Sequence, residues 1–165
     1  MANPATPSLF ATPHQPEYDH VQSAPMYWLM LAPGLVVMAV AVANANDLAM
    51  ALPLTFVGGI LLYFALSFQH LRVADEGDHL AVRYGPLPMF RKRVRYAEIA
   101  TAEQDRSSFV DGWGIHWVPG RGWTYNLWGF DCVRLTLTNG RTLRIGTDDP
   151  SGLAAFLQAK CARRA

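Results

Sequence analysis

Two long stretches without a single charge constrain this chain more than any other feature. The first is "MYWLMLAPGLVVMAVAVA", residues 26–43, and the second is "LAMALPLTFVGGILLYFALSF", residues 48–68. As helices rising about 1.5 Å per residue they would extend about 27 and 31 Å, close to the roughly 30 Å of a bilayer's hydrocarbon core. Asp, Lys or Arg at the centre of such a helix costs about 2.5 to 3.5 kcal/mol in a membrane, and neither stretch contains one. Helices of a soluble bundle usually keep a polar stripe, and these have none. The pair therefore reads as a transmembrane hairpin, turned by "NAND" at 44–47, a connection short enough to make the helices antiparallel. Pro33, Gly34, Pro53, Gly58 and Gly59 would break helices in water but are tolerated in membranes, where they mark kinks or close helix contact. Tyr27, Trp28 and the run from Tyr63 to Phe68 put aromatic side chains near the helix ends, as expected at an interface.

The charges divide the chain at the same place. All fourteen Lys and Arg residues lie between Arg72 and Arg164; before them stand only Glu17, Asp19 and Asp47. The first part therefore carries −3 and the remainder, with fourteen bases against ten acids, +4. Because basic residues accumulate on the cytoplasmic side, the C-terminal part is expected in the cytoplasm. Two spans would place the N-terminus there as well. Cys132 and Cys161 match no metal or redox spacing and read as reduced thiols, which agrees with that compartment.

Residues 1–25, "MANPATPSLFATPHQPEYDHVQSAP", hold five prolines and few aliphatic side chains. Such a segment buries too little surface to offset chain entropy, so it is expected to be a disordered Pro-rich tail. It has no basic n-region before the apolar run and is not a signal peptide.

Residues 69–165 read as one α+β domain. The period changes to two: Leu80, Val82 and Tyr84 alternate with His79, Ala81 and Arg83. Phe90, Lys92, Val94 and Tyr96 share one face, and Arg91, Arg93 and Arg95 the other. Val133, Leu135 and Leu137 face one way; Asn139-Gly140 signals a two-residue hairpin turn, and Leu143 and Ile145 return inward. Half-buried strands at about ten-residue spacing indicate an antiparallel barrel or sandwich. A helix follows, with Asp149 as its cap, Pro150 in its first turn, and Leu153, Phe156, Leu157, Lys160 and Cys161 on one face. Lys160, Arg163 and Arg164 suit its C-terminal end.

About seven short strands followed by one C-terminal helix resemble a pleckstrin-homology-like (PH-like) domain. "LRVADEGDHLAVRYGPLPMFRKRVRYAEIATAEQ" is similar to the opening strands of bacterial membrane-anchored members, which often carry two transmembrane helices just before the domain. "GWGIHWVPGRGWTYNLWG" and "LTNGRTLRIGTDDPSGLAAFL" resemble the second half of one bacterial group of that kind. The resemblance covers residues 71–161. It implies a binding or assembly role and no catalytic residues. This chain has a single soluble domain, which departs from mechanisms needing tandem domains.

Trp113, Ile115 and Trp117 stand at period two, "VPGRG" supplies turn residues, and Trp123, Tyr125 and Leu127 again recur at period two. That is a hairpin with an aromatic face on both strands. Most of its rings are expected in the core, with Trp128 and one of Trp113 or Trp117 outside. Trp113, His116, Trp117, Arg121 and Trp128 are the candidates for contacting a protein partner or a second copy of the chain. Arg91, Lys92, Arg93 and Arg95 form the densest charge and are the alternative candidates, for anionic lipid headgroups, where each base near an anionic surface contributes about 1 kcal/mol. The net charge of +1 and the lack of a recognition motif point away from nucleic acid. The five histidines show no metal-ligand spacing, and no cofactor motif occurs. Asp111 and His116 are spaced as an acid–base pair, without an accompanying nucleophile. The expectation is a non-catalytic protein. An enzyme with a site between domain and membrane is the remote alternative, and neither helix supplies the polar cluster it would need.

Overall fold

The computed structural model describes residues 16–87, 90–108 and 113–163. The possible Asp111 partner of His116, Arg164 and the first fifteen residues lie outside them. The chain is α+β, with two sheets of four and five strands, two apolar helices and a C-terminal helix.

Strand β1 (Asp19–Ser23) leads through one 3-10 turn (Pro25–Tyr27) into helix α1 (Trp28–Ala43). Helix α2 (Leu48–Ser67) returns antiparallel, with the Asp47 carboxylate accepting from the amides of Ala49 and Met50 at its N-cap. The apolar side chains of this hairpin point outward in every direction: Leu29 is 73% exposed and Phe56 70%. The helices touch where small residues meet. A Cβ on Gly58 would stand 3.4 Å from the Gly34 carbonyl oxygen and 3.3 Å from the Met38 amide nitrogen, whereas one on Gly59 would meet nothing within 4 Å.

The first sheet has the order β1-β2-β3-β4, with β2 at His70–Asp75, β3 at His79–Tyr84 and β4 at Arg91–Arg95, all antiparallel. The second comprises β5 (Ile99–Arg106), β6 (Gly114–Val118), β7 (Gly122–Asn126), β8 (Asp131–Leu137) and β9 (Thr142–Gly146), in the order β5-β8-β9-β7-β6. The β6–β7 hairpin lies outside β9, and β7 runs parallel to β9. Between the sheets lie Leu71, Val82, Tyr84, Val133, Leu135 and Ile145. Helix α3 (Pro150–Ala162) adds Leu153 and Leu157, both fully buried. Its Asp149 cap, Pro150 and buried face agree with the reading from sequence.

Two expectations are corrected. Residues 16–25 are not a loose tail: Asp19 to Ser23 pair with Ala74 to His70 as an edge strand. Composition undervalued this segment because its partners lie far away in sequence. Tyr18 stacks on Phe156 at 5.3 Å, and the Gln22 side-chain amide donates to the Trp128 carbonyl at 3.0 Å. The helical hairpin is therefore inserted between two neighbouring strands of one sheet, and the domain does not begin at residue 69. Secondly, Asn139-Gly140 is not a complete two-residue turn. The Leu137 amide donates to the Arg141 carbonyl, so Thr138, Asn139 and Gly140 form a three-residue connection, with Gly140 at φ +78° in the left-handed region that glycine tolerates.

The junction between helices and sheets is tight. Gly85 has φ +55°, its amide donates to the His70 carbonyl, and a Cβ there would come within 2.4 Å of the Ser67 carbonyl oxygen. Phe68 continues this contact, with its ring 5.3 Å from Tyr84 and 5.4 Å from Phe90.

Candidate functional site

The tryptophan-rich stretch forms the hairpin read from its period, and antiparallel pairing assigns its faces. Ile115 opposes Tyr125 and Trp117 opposes Trp123, so these four share one face, while His116 and Thr124 share the other. Ile115 and Tyr125 pack against the core. Trp117 and Trp123, farther out, remain 58% and 50% exposed.

The five candidate residues separate into three places. Trp113 stacks on Trp128 with ring centres 4.9 Å apart, and its indole N–H donates to the Gly129 carbonyl. This pair lies near the helix bases, where Trp113 lines a small apolar cavity with Met26, Tyr27, Met30, Phe68 and Leu127. Trp117 lies at the opposite end of the hairpin, two residues before Pro119 of the Pro119-Gly120-Arg121 turn. His116 points to the other face, where both ring nitrogens are buried without a hydrogen-bond partner among the described residues, as are Thr124 Oγ1, Asn126 Oδ1 and Arg144 Nη1.

The expectation that most tryptophan rings fill the core does not hold. Trp117, Trp123 and Trp128 are exposed, and Trp113 is half-buried. The interior is already occupied by aliphatic side chains with Tyr84 and Tyr96, and the hairpin is added at the outer margin of its sheet. Trp123, which is not among the five candidates, stands directly opposite Trp117. Its signal lay in the turn: with three residues between Val118 and Gly122, Trp117 and Trp123 are direct cross-strand partners.

Trp123 also stands between two open recesses. One, of about 460 Å³, is lined by Lys92, Glu98, Trp123, Tyr125, Leu137 and Arg141 among others. The other, of about 510 Å³, is lined by Trp117, Gly120, Gly122, Trp123, Arg141 and Thr142 together with Gly140. The charged side chains around them are Lys92 and Arg141 against Glu98, with Arg121 in the adjoining turn. Strand β6 is the outermost strand of its sheet, so its backbone offers an edge for a further strand.

The basic group is divided as well. Arg91, Arg93 and Arg95 point outward from β4, whereas Lys92 is on the inner face with Val94 and reaches the first recess. Arg72 and Arg83 join the outward group from neighbouring strands. The Arg72 guanidinium binds Asp19 with both Nε and Nη2, which lowers the Asp19 carboxyl from its ordinary value. Glu76 accepts from Arg83 and lies 2.7 Å from His79 Nε2 and 3.5 Å from Arg93.

One buried ion cluster holds the ends of the chain together. Asp75 accepts from the Tyr96 hydroxyl at 2.7 Å, the Gly77 amide at 3.0 Å, the Glu17 amide at 3.2 Å and Lys160 Nζ at 3.2 Å. Burial pushes its pKa up, but these four donors outweigh it and hold the pKa at about 2. Lys160 also meets Glu17 at 3.0 Å. Cys132 is buried and Cys161 partly buried, and no disulfide joins them. Among the described residues, no group of three His, Cys, Asp or Glu side chains is placed to hold a metal ion. No family model matches this chain, and no curated protein matches it either.

Proposed function

We propose that this chain is a non-catalytic, membrane-anchored PH-like domain that binds an extended, acidic segment of a protein partner along β6. The observation that carries the reading is the Trp117–Trp123 pair. Two large rings stand half exposed on the outermost hairpin, beside Arg121 and Arg141 and next to a strand edge. A peptide strand added to β6 would gain main-chain hydrogen bonds, and its side chains would enter the recesses on either side of Trp123. Exposed aromatics beside arginine are the side-chain types that dominate binding energy at protein interfaces. The basic rim favours an acidic partner over a second copy of the chain, which would bring Arg121 and Arg141 toward like charges.

The membrane anchor is supported by two helices, long and apolar enough to cross a bilayer, of which only 11% and 17% is buried. The PH-like assignment is supported by counting: without the β6–β7 hairpin, seven strands in two antiparallel sheets precede one C-terminal helix. The basic residues that follow α2 favour the cytoplasmic face of a bacterial inner membrane for the domain.

The full chain in lipid nanodiscs tests the binding reading against two peptide sets, equal in length and apolar content, one acidic and one basic. Acidic peptides are expected to shift tryptophan emission and to protect β6 amides from exchange. Trp117→Ala and Arg141→Glu are expected each to weaken binding at least tenfold. Equal binding of both sets, or unchanged binding in the two variants, would refute the reading.

A further inference from the structure

Three arginines from three different strands lie side by side on the outer face of the first sheet. Arg72 of β2 is directly opposite Arg83 of β3, and Arg83 is directly opposite Arg91 of β4. The half-exposed Val21 of β1 ends the row. Directly opposed residues share a face about 5 Å apart, so the row brings three guanidinium groups into one strip. Arg93 and Arg95 extend it along β4, and the long side chains close over Ala74 and Ala81, which are 8% and 1% exposed although they lie on this outer face.

Like charges in direct opposition destabilise a sheet unless something neutralises them. Within the chain the neutralisation is partial. Asp19 pairs with Arg72, and Glu76 serves Arg83, Arg93 and His79 together. Asp78 lies at the far end beside His79. Five arginines thus face three carboxylates. Arg91, in the row itself, has no carboxylate partner among the described residues.

The row also has a definite height. The Ser23–His70 pair lies two residues beyond Val21–Arg72 along β1 and β2 toward the helices, and His70 follows Ser67 by three residues. Arg91 follows Phe90, whose ring lies 6.4 Å from Phe64 and 5.4 Å from Phe68 at the end of α2. Each arginine of the row is therefore within about two residues of the helix-side end of its strand, or about 7 Å along it. Where α1 and α2 cross a bilayer, that is the depth of the phosphate groups.

We infer that the Arg72–Arg83–Arg91 row binds the phosphate group of anionic lipid headgroups, and that it sets the domain against the membrane its helices enter. The ligand chemistry is a phosphate oxyanion, which guanidinium groups bind in forked, charge-assisted hydrogen bonds. The inference rests on the membrane-anchored reading and is independent of the β6 surface.

The test uses the full chain in neutral detergent micelles, with thermal unfolding followed as phosphatidylglycerol, phosphatidylcholine or inorganic phosphate is titrated in. Phosphatidylglycerol is expected to raise the unfolding temperature in a saturable way, with phosphatidylcholine and inorganic phosphate far less effective. Arg91→Gln breaks no ion pair and is expected to weaken the apparent lipid affinity about fivefold, the effect of one base near an anionic surface. Combining it with Arg72→Gln and Arg83→Gln is expected to abolish the lipid-dependent shift. Arg106→Gln with Arg163→Gln, which removes two charges elsewhere, is expected to keep it. An equal shift with phosphatidylcholine, an unchanged shift in the triple variant, or an equal loss in the Arg106 and Arg163 control would each overturn the inference. An inorganic phosphate response equal to that of the lipid would overturn the assignment to a headgroup. Extraction of membranes with alkaline carbonate separates the two readings: release of the wild-type chain would sink the anchor, whereas the micelle titration reads the arginine row alone.

Discussion

Ser23 and His70 lie opposite one another on adjacent antiparallel strands, with the whole apolar hairpin inserted between them. The chain leaves the sheet, runs out along α1, returns along α2, and resumes pairing with the strand it left. Both ends of the hairpin are thus held at one edge of a single domain.

This attachment requires the segments before α1 and after α2 to occupy the same side of any membrane the hairpin crosses. Protease-sensitive tags at the two termini should be cleaved together, from the same side, in sealed inverted vesicles. Cleavage of one tag from each side would break the β1–β2 pairing and refute the topology.

The helix pair distinguishes two neighbouring glycines. Gly58→Leu must displace the backbone around Gly34 and Met38, whereas Gly59→Leu enters open space. Overpacking of this kind costs about 1 to 3 kcal/mol. In detergent, Gly58→Leu is expected to lower the unfolding temperature by several degrees and Gly59→Leu to leave it nearly unchanged. Equal effects would show that the helices do not cross here.

Tyr84 is fully buried, and its hydroxyl has no hydrogen-bond partner among the described residues. Burial accordingly pushes its pKa well above the ordinary value. Leaving a buried polar atom unpaired costs about 1 to 3 kcal/mol, so removing it should help. Tyr84→Phe keeps the ring against Phe68 and is expected to stabilise the chain by about 1 kcal/mol. A loss of stability on denaturant unfolding would mean that the hydroxyl has a partner.

Asp75 gives the domain a defined acid sensitivity. Its folded pKa of about 2 lies below the ordinary carboxylate value of 3.8. A depressed carboxylate contributes stability that is fully present above about pH 4 and is lost as the pH falls through 2. The shift corresponds to about 2 kcal/mol. Comparing unfolding at pH 6 and pH 2.5 should show most of that loss in the wild type and little of it in Asp75→Asn, which starts out less stable. An equal pH response in both proteins would assign the acid sensitivity to other groups.

Much of the architecture was legible in local patterns. The uncharged stretches, the alternation in "HLAVRY" and "CVRLTLT", and the Asp149-Pro150 start of the last helix each depend on residues within a few positions of one another. Their assignment needs no knowledge of distant partners. The aromatic face of the β6–β7 hairpin was legible for the same reason, since its turn fixes which residues oppose.

The site was legible only in part. "RKRVR" drew attention to Arg91 to Arg95 because they are contiguous. Lys92 nevertheless points the other way, and Arg72 and Arg83, scattered in sequence, complete the row. Trp113 and Trp117 looked like one cluster but stand at opposite ends of a strand, one against Trp128 and the other against Trp123.

By itself the sequence determined where the helices and most of the strands lie, because hydrophobic period and charge exclusion act over short distances along the chain. Only the tertiary structure decided that Asp19–Ser23 is a strand, that it borders β2 across the inserted hairpin, and that three distant arginines form one row. Those facts depend on which strands become neighbours. Pairing is made by backbone groups that nearly every residue carries, so the side-chain pattern of an edge strand says little about its partner.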